Sequence, residues 1–237
     1  DLARERGCEC HLVSPDQVKE KHSSFAVQRF DFTSREEQYE DLVIHLPGRH
    51  QMLNAACALT CVSVLKEQGL SINKEAVYKG LDKARWPGRL EKMGDDPVII
   101  LDGAHNPSGA QVLADAVRLY FPNEKVYLIL GVLQDKDVDT VTKTLCSVAS
   151  RVTITIPDSP RAAPPDELAA IARRYHSDVS ICPDVKQAIE DALNLIKAEN
   201  EGKESGKWIL IISGSLYLVG AARTILLDMG MHPDAQA

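Results

Sequence analysis

The stretch Asp102-Gly103-Ala104-His105-Asn106-Pro107 sets a carboxylate, an imidazole and a helix-start signal directly after the apolar run Val98 to Leu101. Pro107 suits a first helical position and Asn106 its cap. A short loop therefore delivers His105 to a helix amino terminus, where free backbone N–H groups and the helix dipole favour anions. Asp102, at the carboxyl end of a strand, is placed to accept hydrogen bonds from ribose hydroxyls. The competing reading is local, with Asp102 capping and His105 only packing. Three further loops follow apolar runs on the same pattern: Gly131 to Asp137 (GVLQDKD), Pro157 to Arg161 (PDSPR) and Ser213-Gly214-Ser215. The last again pairs glycine and hydroxyl with a helix start, a geometry suited to anions. Lys136 and Arg161 bring positive charge to this otherwise acidic rim, unless they are ordinary solvated surface charges.

Strand and helix alternate around these loops. Strands are expected at Val98 to Asp102, Val126 to Val132, Val152 to Ile156, Val179 to Cys182 and Trp208 to Ser213. Helices are expected from Pro107 to Tyr120, Val138 to Cys146, Pro165 to Tyr175, Val185 to Glu199 and Leu216 to Met229. Near-continuous apolar strands such as VIIL, VYLILGV and WILIIS suit a parallel sheet covered on both faces. With right-handed crossovers they predict an α/β fold: a Rossmann-like, mostly parallel sheet with helices on both faces and ligands at the carboxyl ends of its strands. Arg85-Trp86-Pro87-Gly88 interrupts both helix and strand and marks a domain boundary. Upstream, a helix end over Asp1 to Gly7 and strands at Cys10 to Val13, 24–30 and 40–46 are expected. A helix follows from Arg49 to Gln68, stopped by Gly69, and another capped by Asn73 runs to about Lys83.

Composition narrows the classes. Hydrophobic residues make up 44% and charged residues 26% of the chain, enough for a buried core. The net charge of −7 is spread without a basic stripe, which argues against nucleic acid as a partner. No apolar run reaches the length of a membrane span and no leader pattern opens the chain, so a soluble, cytoplasmic protein without a membrane partner is expected. The six cysteines have no Cys-x-x-Cys spacing and read as reduced thiols, so no metal site is expected.

The motifs His50-Gln51-x-x-Asn54-Ala55-Ala56, Gly88-Arg89-Leu90-Glu91, Asp102 to Pro107, Asp135-Lys136-Asp137, Arg161-Ala162 and Ser213-Gly214-Ser215-Leu216-Tyr217-Leu218-Val219-Gly220 occur in this order. Together they resemble the successive signatures of folylpolyglutamate synthases, including the bifunctional dihydrofolate synthases, of the Mur ligase superfamily. The resemblance implies that residues 1–85 are the carboxyl-terminal part of a central α/β ATPase domain and residues 86–237 the carboxyl-terminal Rossmann-like domain. It implies an ATP-dependent ligase that joins L-glutamate to the γ-carboxylate of folate through an acyl phosphate, with dihydropteroate as a further candidate substrate and a monomer as the full-length state. His50, Gln51 and Asn54 look like the adenine-recognition set, Arg89 a phosphate contact, Asp102 the ribose ligand and His105 the catalytic residue, in contact with ATP and between phosphate and incoming glutamate. Lys136, Arg161 and Ser215 look like contacts for that glutamate.

ATP and Mg²⁺ are the implied cofactors. The family's Gly-Lys-Ser phosphate loop has no counterpart here, since neither Gly202-Lys203 nor Gly206-Lys207 has the spacing or the following hydroxyl. By the same resemblance, the acidic Mg²⁺ ligand and a modified lysine belong to an amino-terminal half. The chain is thus expected to be inactive alone. The alternatives are a Mur-type ligase acting on a peptidoglycan precursor and a non-catalytic nucleotide-binding module.

Overall fold

The computed structural model describes residues 2–34 and 37–233. The chain divides into two compact units, Asp1–Arg85 and Trp86–Ala237.

The first unit opens with a short helix, α1 (Leu2–Glu5), and a helical turn at Pro15–Gln17. The strands β1 (Val18–Ser23), β2 (Gln28–Thr33) and β3 (Gln38–Ile44) then form an antiparallel meander in that order. Strict alternation buries Gln28, Phe30 and Phe32 of β2. In β3, Tyr39 and Leu42 are both buried although three residues apart. A bulge explains this: the β2–β3 register shifts between Phe30 and Phe32, and Asp41 adopts φ 53° with its N–H donated to Asp31 Oδ1. The helices α2 (His50–Glu67) and α3 (Lys74–Lys83) complete a core in which Met52, Ala56, Leu59 and Val77 meet Phe30, Phe32, Tyr39 and Leu42. Gly69, at φ 95°, ends α2 as expected, and the Asn73 side chain caps α3 by accepting from Ala76 N at 2.8 Å.

Two expectations for this unit change. Cys10 to Val13 is not a strand; Leu12 is 89% exposed. The strand expected at 24–30 begins at Gln28, because Ser24 to Val27 close a turn through Ser24 N and Val27 O.

The second unit holds a six-stranded sheet in the order β4-β5-β9-β6-β7-β8. Its elements are β4 (Glu91–Asp95), β5 (Val98–Asp102), α4 (Pro107–Tyr120), β6 (Lys125–Leu130), α5 (Val138–Cys146), β7 (Arg151–Ile154), α6 (Pro165–Ala172), β8 (Val179–Ile181), α7 (Val185–Asn200), β9 (Trp208–Ser213) and α8 (Leu216–Asp228). The edge strand β4 runs antiparallel to β5, and every other pairing is parallel. β4 escaped the sequence reading because only Met93 of its five residues is buried.

The winding follows from strand order. From β5 the chain steps through α4, α5 and α6 to β6, β7 and β8 in one direction; α7 then carries it back so that β9 fills the slot between β5 and β6. Right-handed crossovers put the outward and returning helices on opposite faces. In the core, Ile99, Leu101, Ile129, Leu210 and Ile212 pack against Ala188, Ile189, Ala192 and Ile196 of α7 and Leu218, Ala222 and Leu226 of α8. Their alternates Ile100, Leu128, Leu130 and Ile211 are equally buried on the other face. β9 is therefore the switch point, with connections leaving its carboxyl end and those of its neighbours toward opposite faces, and crevices form there.

Candidate active site

At this switch point the loop 88–91 is held in an unusual conformation. Gly88 has φ 72° and Leu90 φ 47°, a left-handed backbone that a leucine adopts only when its surroundings enforce it. Three hydrogen bonds do so. Leu90 N donates to Asp102 Oδ2 at 2.9 Å, Gly103 N donates to Gly88 O at 2.8 Å, and Gly88 N donates to Glu91 Oε2 at 2.9 Å. Arg223 of α8 anchors Glu91 in turn, its Nε lying 2.9 and 3.1 Å from the two carboxylate oxygens. The product of this bracing is an exposed Arg89 at the tip of a rigid loop.

Asp102 is 7% exposed, and its second oxygen accepts from Ala104 N at 2.9 Å. Burial pushes its carboxyl up, against the pull of the Leu90 and Ala104 N–H groups and of the charge on Arg89. Each oxygen retains a lone pair for a further donor. The cap of α4 is Asn106, which accepts from Gly109 N at 2.8 Å, so the local alternative of Asp102 as the helix cap does not hold. His105 Nδ1 lies 2.8 Å from Gly103 O; a carbonyl only accepts, so Nδ1 carries the proton and Nε2 is the nitrogen left for chemistry.

A second group of side chains gathers beside the start of α8. Arg161 Nη1 donates to Asp135 Oδ2 at 3.2 Å, Lys136 Nζ lies 3.3 Å from the same oxygen, and the Arg161 guanidinium sits 5.9 Å from the centre of the Tyr217 ring. Burial is the largest single influence on Asp135 and works against its ionised form, but the hydrogen bond from Lys136 and the charges of Lys136 and Arg161 together outweigh it and hold the carboxyl below its ordinary value. The loops carrying these residues are joined by the Leu133–Ala162 bridge and by Gln134 N donating to Arg161 O at 2.8 Å.

The amino terminus of α8 links the two groups. A Cβ on Gly103 would stand 2.4 Å from Leu216 Cδ2, so Leu216 packs directly on the Asp102 loop while its neighbour Tyr217 lies under Arg161. Ser215 itself is 1% exposed, and its Oγ accepts from Tyr217 N at 3.1 Å and Leu218 N at 3.5 Å. It caps the helix that arranges both groups.

His50, Gln51 and Asn54 belong to the first unit, on the opening turns of α2. Asn54 Nδ2 donates to Gln51 Oε1 at 2.9 Å, and the His50 ring covers Gly48, where a Cβ would stand 2.6 Å from it. The cap position is Arg49, which makes no side-chain cap bond.

A family profile described as Mur ligase, glutamate ligase domain, matches residues 88–215, the span that contains Arg89, Asp102, His105, Asp135, Lys136 and Arg161. The chain belongs to the Mur ligase family. This Mur ligase chain is 33% identical over 199 residues to the dihydrofolate synthase/folylpolyglutamate synthase of Bacillus subtilis, covering 84% of the chain and 44% of that protein. It is 34% identical over 196 residues to the protein of the same name from Mycobacterium tuberculosis, covering 79% and 40%. Among solved structures, folylpolyglutamate synthase from Thermotoga maritima superposes with a TM-score of 0.75 at 32% identity, over 98% of this chain and 51% of that one. The M. tuberculosis enzyme complexed with ADP gives a TM-score of 0.81 at 30% identity, over 93% and 49%. The chain thus spans about half the length of the relatives it matches. The resemblance read from the ordered motifs and the expected mostly parallel α/β sheet both stand.

Glu91 and Tyr217 lie within the ordered motifs, but nothing in their local sequence marks them as contributors. Arg223 could not be found from local sequence at all, since it meets Glu91 across 132 residues of chain.

Proposed function

We propose that the Mur ligase chain is the amino-acid and nucleotide-docking portion of an ATP-dependent folylpolyglutamate synthase, which joins L-glutamate to the γ-carboxylate of a folate and whose further candidate substrate is dihydropteroate. Residues 1–85 are read as the trailing part of the central ATPase domain and residues 86–237 as the carboxyl-terminal domain. The observation that carries the reading is the gathering of Arg89, Asp102 and His105 on one side of the α8 amino terminus and Lys136, Asp135 and Arg161 on the other, at the switch point of the sheet. A relative at 30% identity is complexed with ADP, in keeping with a nucleotide site.

In this reading the braced Arg89 offers a planar guanidinium to phosphate. The free lone pairs of Asp102 receive ribose hydroxyls, and the Gln51–Asn54 pair reads the adenine edge through its remaining donors and acceptors. His105, fixed as the Nδ1–H tautomer, presents Nε2 between phosphate and the incoming amino group. Arg161 and Lys136 take carboxylates of the amino acid, while Ser215 acts through the helix it caps. Bound ATP would activate the acceptor carboxylate by phosphoryl transfer. Mg²⁺ would neutralise the phosphates, but among the described residues no cluster of His, Cys, Asp or Glu could hold a metal ion, so none is assigned to it. The 237 residues alone are read as inactive in ligation, because no phosphate loop occurs in them.

The test is a chimera in which this chain replaces the matching half of the B. subtilis relative. Product is followed by mass spectrometry with tetrahydrofolate, ATP, Mg²⁺ and L-glutamate. Glutamate-dependent product from the chimera and none from the chain alone is the expected result. A chimera that folds and binds ADP yet forms no product would sink the reading, as would folate- and glutamate-dependent ADP release by the isolated chain.

A further inference from the structure

We propose that Tyr217 is a positioning residue for amino-acid capture, holding the Arg161 guanidinium so that its free edge receives a substrate carboxylate. The inference rests on the reading of Arg161 as an amino-acid contact. Arg161 is half exposed, at 50% of its side chain, and such arginines ordinarily sample many rotamers. Here its contacts restrain it on two sides. Asp135 takes one N–H at the Nη1 edge, and the Tyr217 ring faces the guanidinium carbon at 5.9 Å. A guanidinium has five N–H donors in one plane. With one edge committed and one face covered, the other edge remains for a bidentate carboxylate.

Tyr217 is itself fixed by what surrounds its backbone. Its N–H donates to Ser215 Oγ at 3.1 Å, at the start of a helix whose next residue, Leu218, is fully buried in the core. The residue is 49% exposed, so its ring remains open to the Arg161 side chain and to solvent. Among the described residues nothing hydrogen-bonds the phenol hydroxyl, so the ring face is the part engaged. The nearby Lys136 adds a second positive charge, leaving the group of Asp135, Lys136 and Arg161 with a net charge of one positive unit, suited to one carboxylate.

The experiment uses the 237-residue chain and its Tyr217→Phe and Tyr217→Leu variants, with two readouts. The Arg161 Nε–Hε resonance is followed by ¹H–¹⁵N NMR, and L-glutamate is titrated against the loops at 131–137 and 157–163. The phenyl ring should preserve the wild-type Arg161 resonance and affinity. Leucine should move that resonance toward the free-arginine position and weaken glutamate binding about three- to tenfold, the size expected from losing a half-exposed cation–π contact and an ordered side chain. Thermal unfolding of the leucine variant should stay at the wild-type midpoint, which separates positioning from folding. Equal glutamate affinity in wild type and Tyr217→Leu would overturn the role of Tyr217 and leave the amino-acid site standing. Absence of saturable binding by the wild type would overturn both.

Discussion

Gly214, between the two serines that end β9 and begin α8, offers a sharp test of how tightly the switch point is built. Its φ is 110°, and a Cβ there would stand 2.7 Å from Gly131 O and 2.8 Å from Leu130 Cδ1. Replacing it with alanine imposes two separable costs. The left-handed backbone costs an L-residue about 1–2 kcal/mol. The collision is with a main-chain carbonyl on the adjacent strand's exit, which cannot swing aside, and relieving it by a backbone shift costs about 1–3 kcal/mol more. Together these give about 2–5 kcal/mol, a fall in Tm of roughly 4–20 °C for a unit of this size. Gly202→Ala is the control, since Gly202 has φ 72° with nothing within 4 Å of the added carbon, and it should show the backbone part alone. Both tryptophans, Trp86 and Trp208, lie in the second unit, so a tryptophan-fluorescence melt reports on that unit without the first. Equal losses from Gly214→Ala and Gly202→Ala would refute the claim that the strand exits are in closest approach.

Other expectations follow from single contacts. Gly220 sits inside α8 with open space around it, so Gly220→Ala should raise the same melting midpoint through helix propensity worth about 0.5–1 kcal/mol. Arg223→Met would leave the Glu91 carboxylate, 10% exposed, with Gly88 N as its one hydrogen-bond partner among the described residues. A loss of about 1–3 kcal/mol is expected, below the value for a fully buried pair because Arg223 is 30% exposed, with amide shifts confined largely to 88–91. In the first unit, burial works against the Glu37 carboxylate, but hydrogen bonds from Lys66, Tyr39 and Ser63 outweigh it and lower its pKa. Because the folded value is depressed, the stabilisation is complete above the unfolded carboxyl value of about 4.3 and disappears as pH falls through the lower folded one. Hydrogen exchange of peptides within 28–44 should therefore quicken as pH drops from neutral through that window, after correction for intrinsic rates, and Glu37→Gln should flatten the dependence.

The second unit was legible in outline because its strands are apolar throughout and its helices carry local caps. Asn106, Asp137, Asp184 and Ser215 each accept a backbone N–H within the first turn they begin. What escaped the sequence was exposed or non-local. β1 carries Val-Lys-Glu-Lys-His-Ser with no buried residue, so no alternation announces it. The helix expected to reach Tyr175 stops at Ala172, where a turn takes over and His176 is held by Ala149 O at 3.1 Å, a contact with a distant loop. For the site, residue types were readable but their division of labour was not. Ser215 reads as a ligand hydroxyl until its 1% exposure and two backbone partners show a cap. Asp102 reads as a ligand alone until Leu90 and Ala104 show it also pinning a loop.

The placement of β9 also bears on how this domain comes into being. β5 and β6 leave the ribosome well before β9, yet neither touches the other across the sheet; each pairs with β9 instead. Until Trp208 to Ser213 has emerged, the nascent domain holds two sticky edges about two strand spacings, or roughly 10 Å, apart. Assembly must therefore end by zipping a ribbon into a gap, a non-local step that slows folding. The same closure brings the α8 amino terminus between the Asp102 loop and Arg161, so a molecule stalled before it would lack the junction of those two loops as well as its central strand.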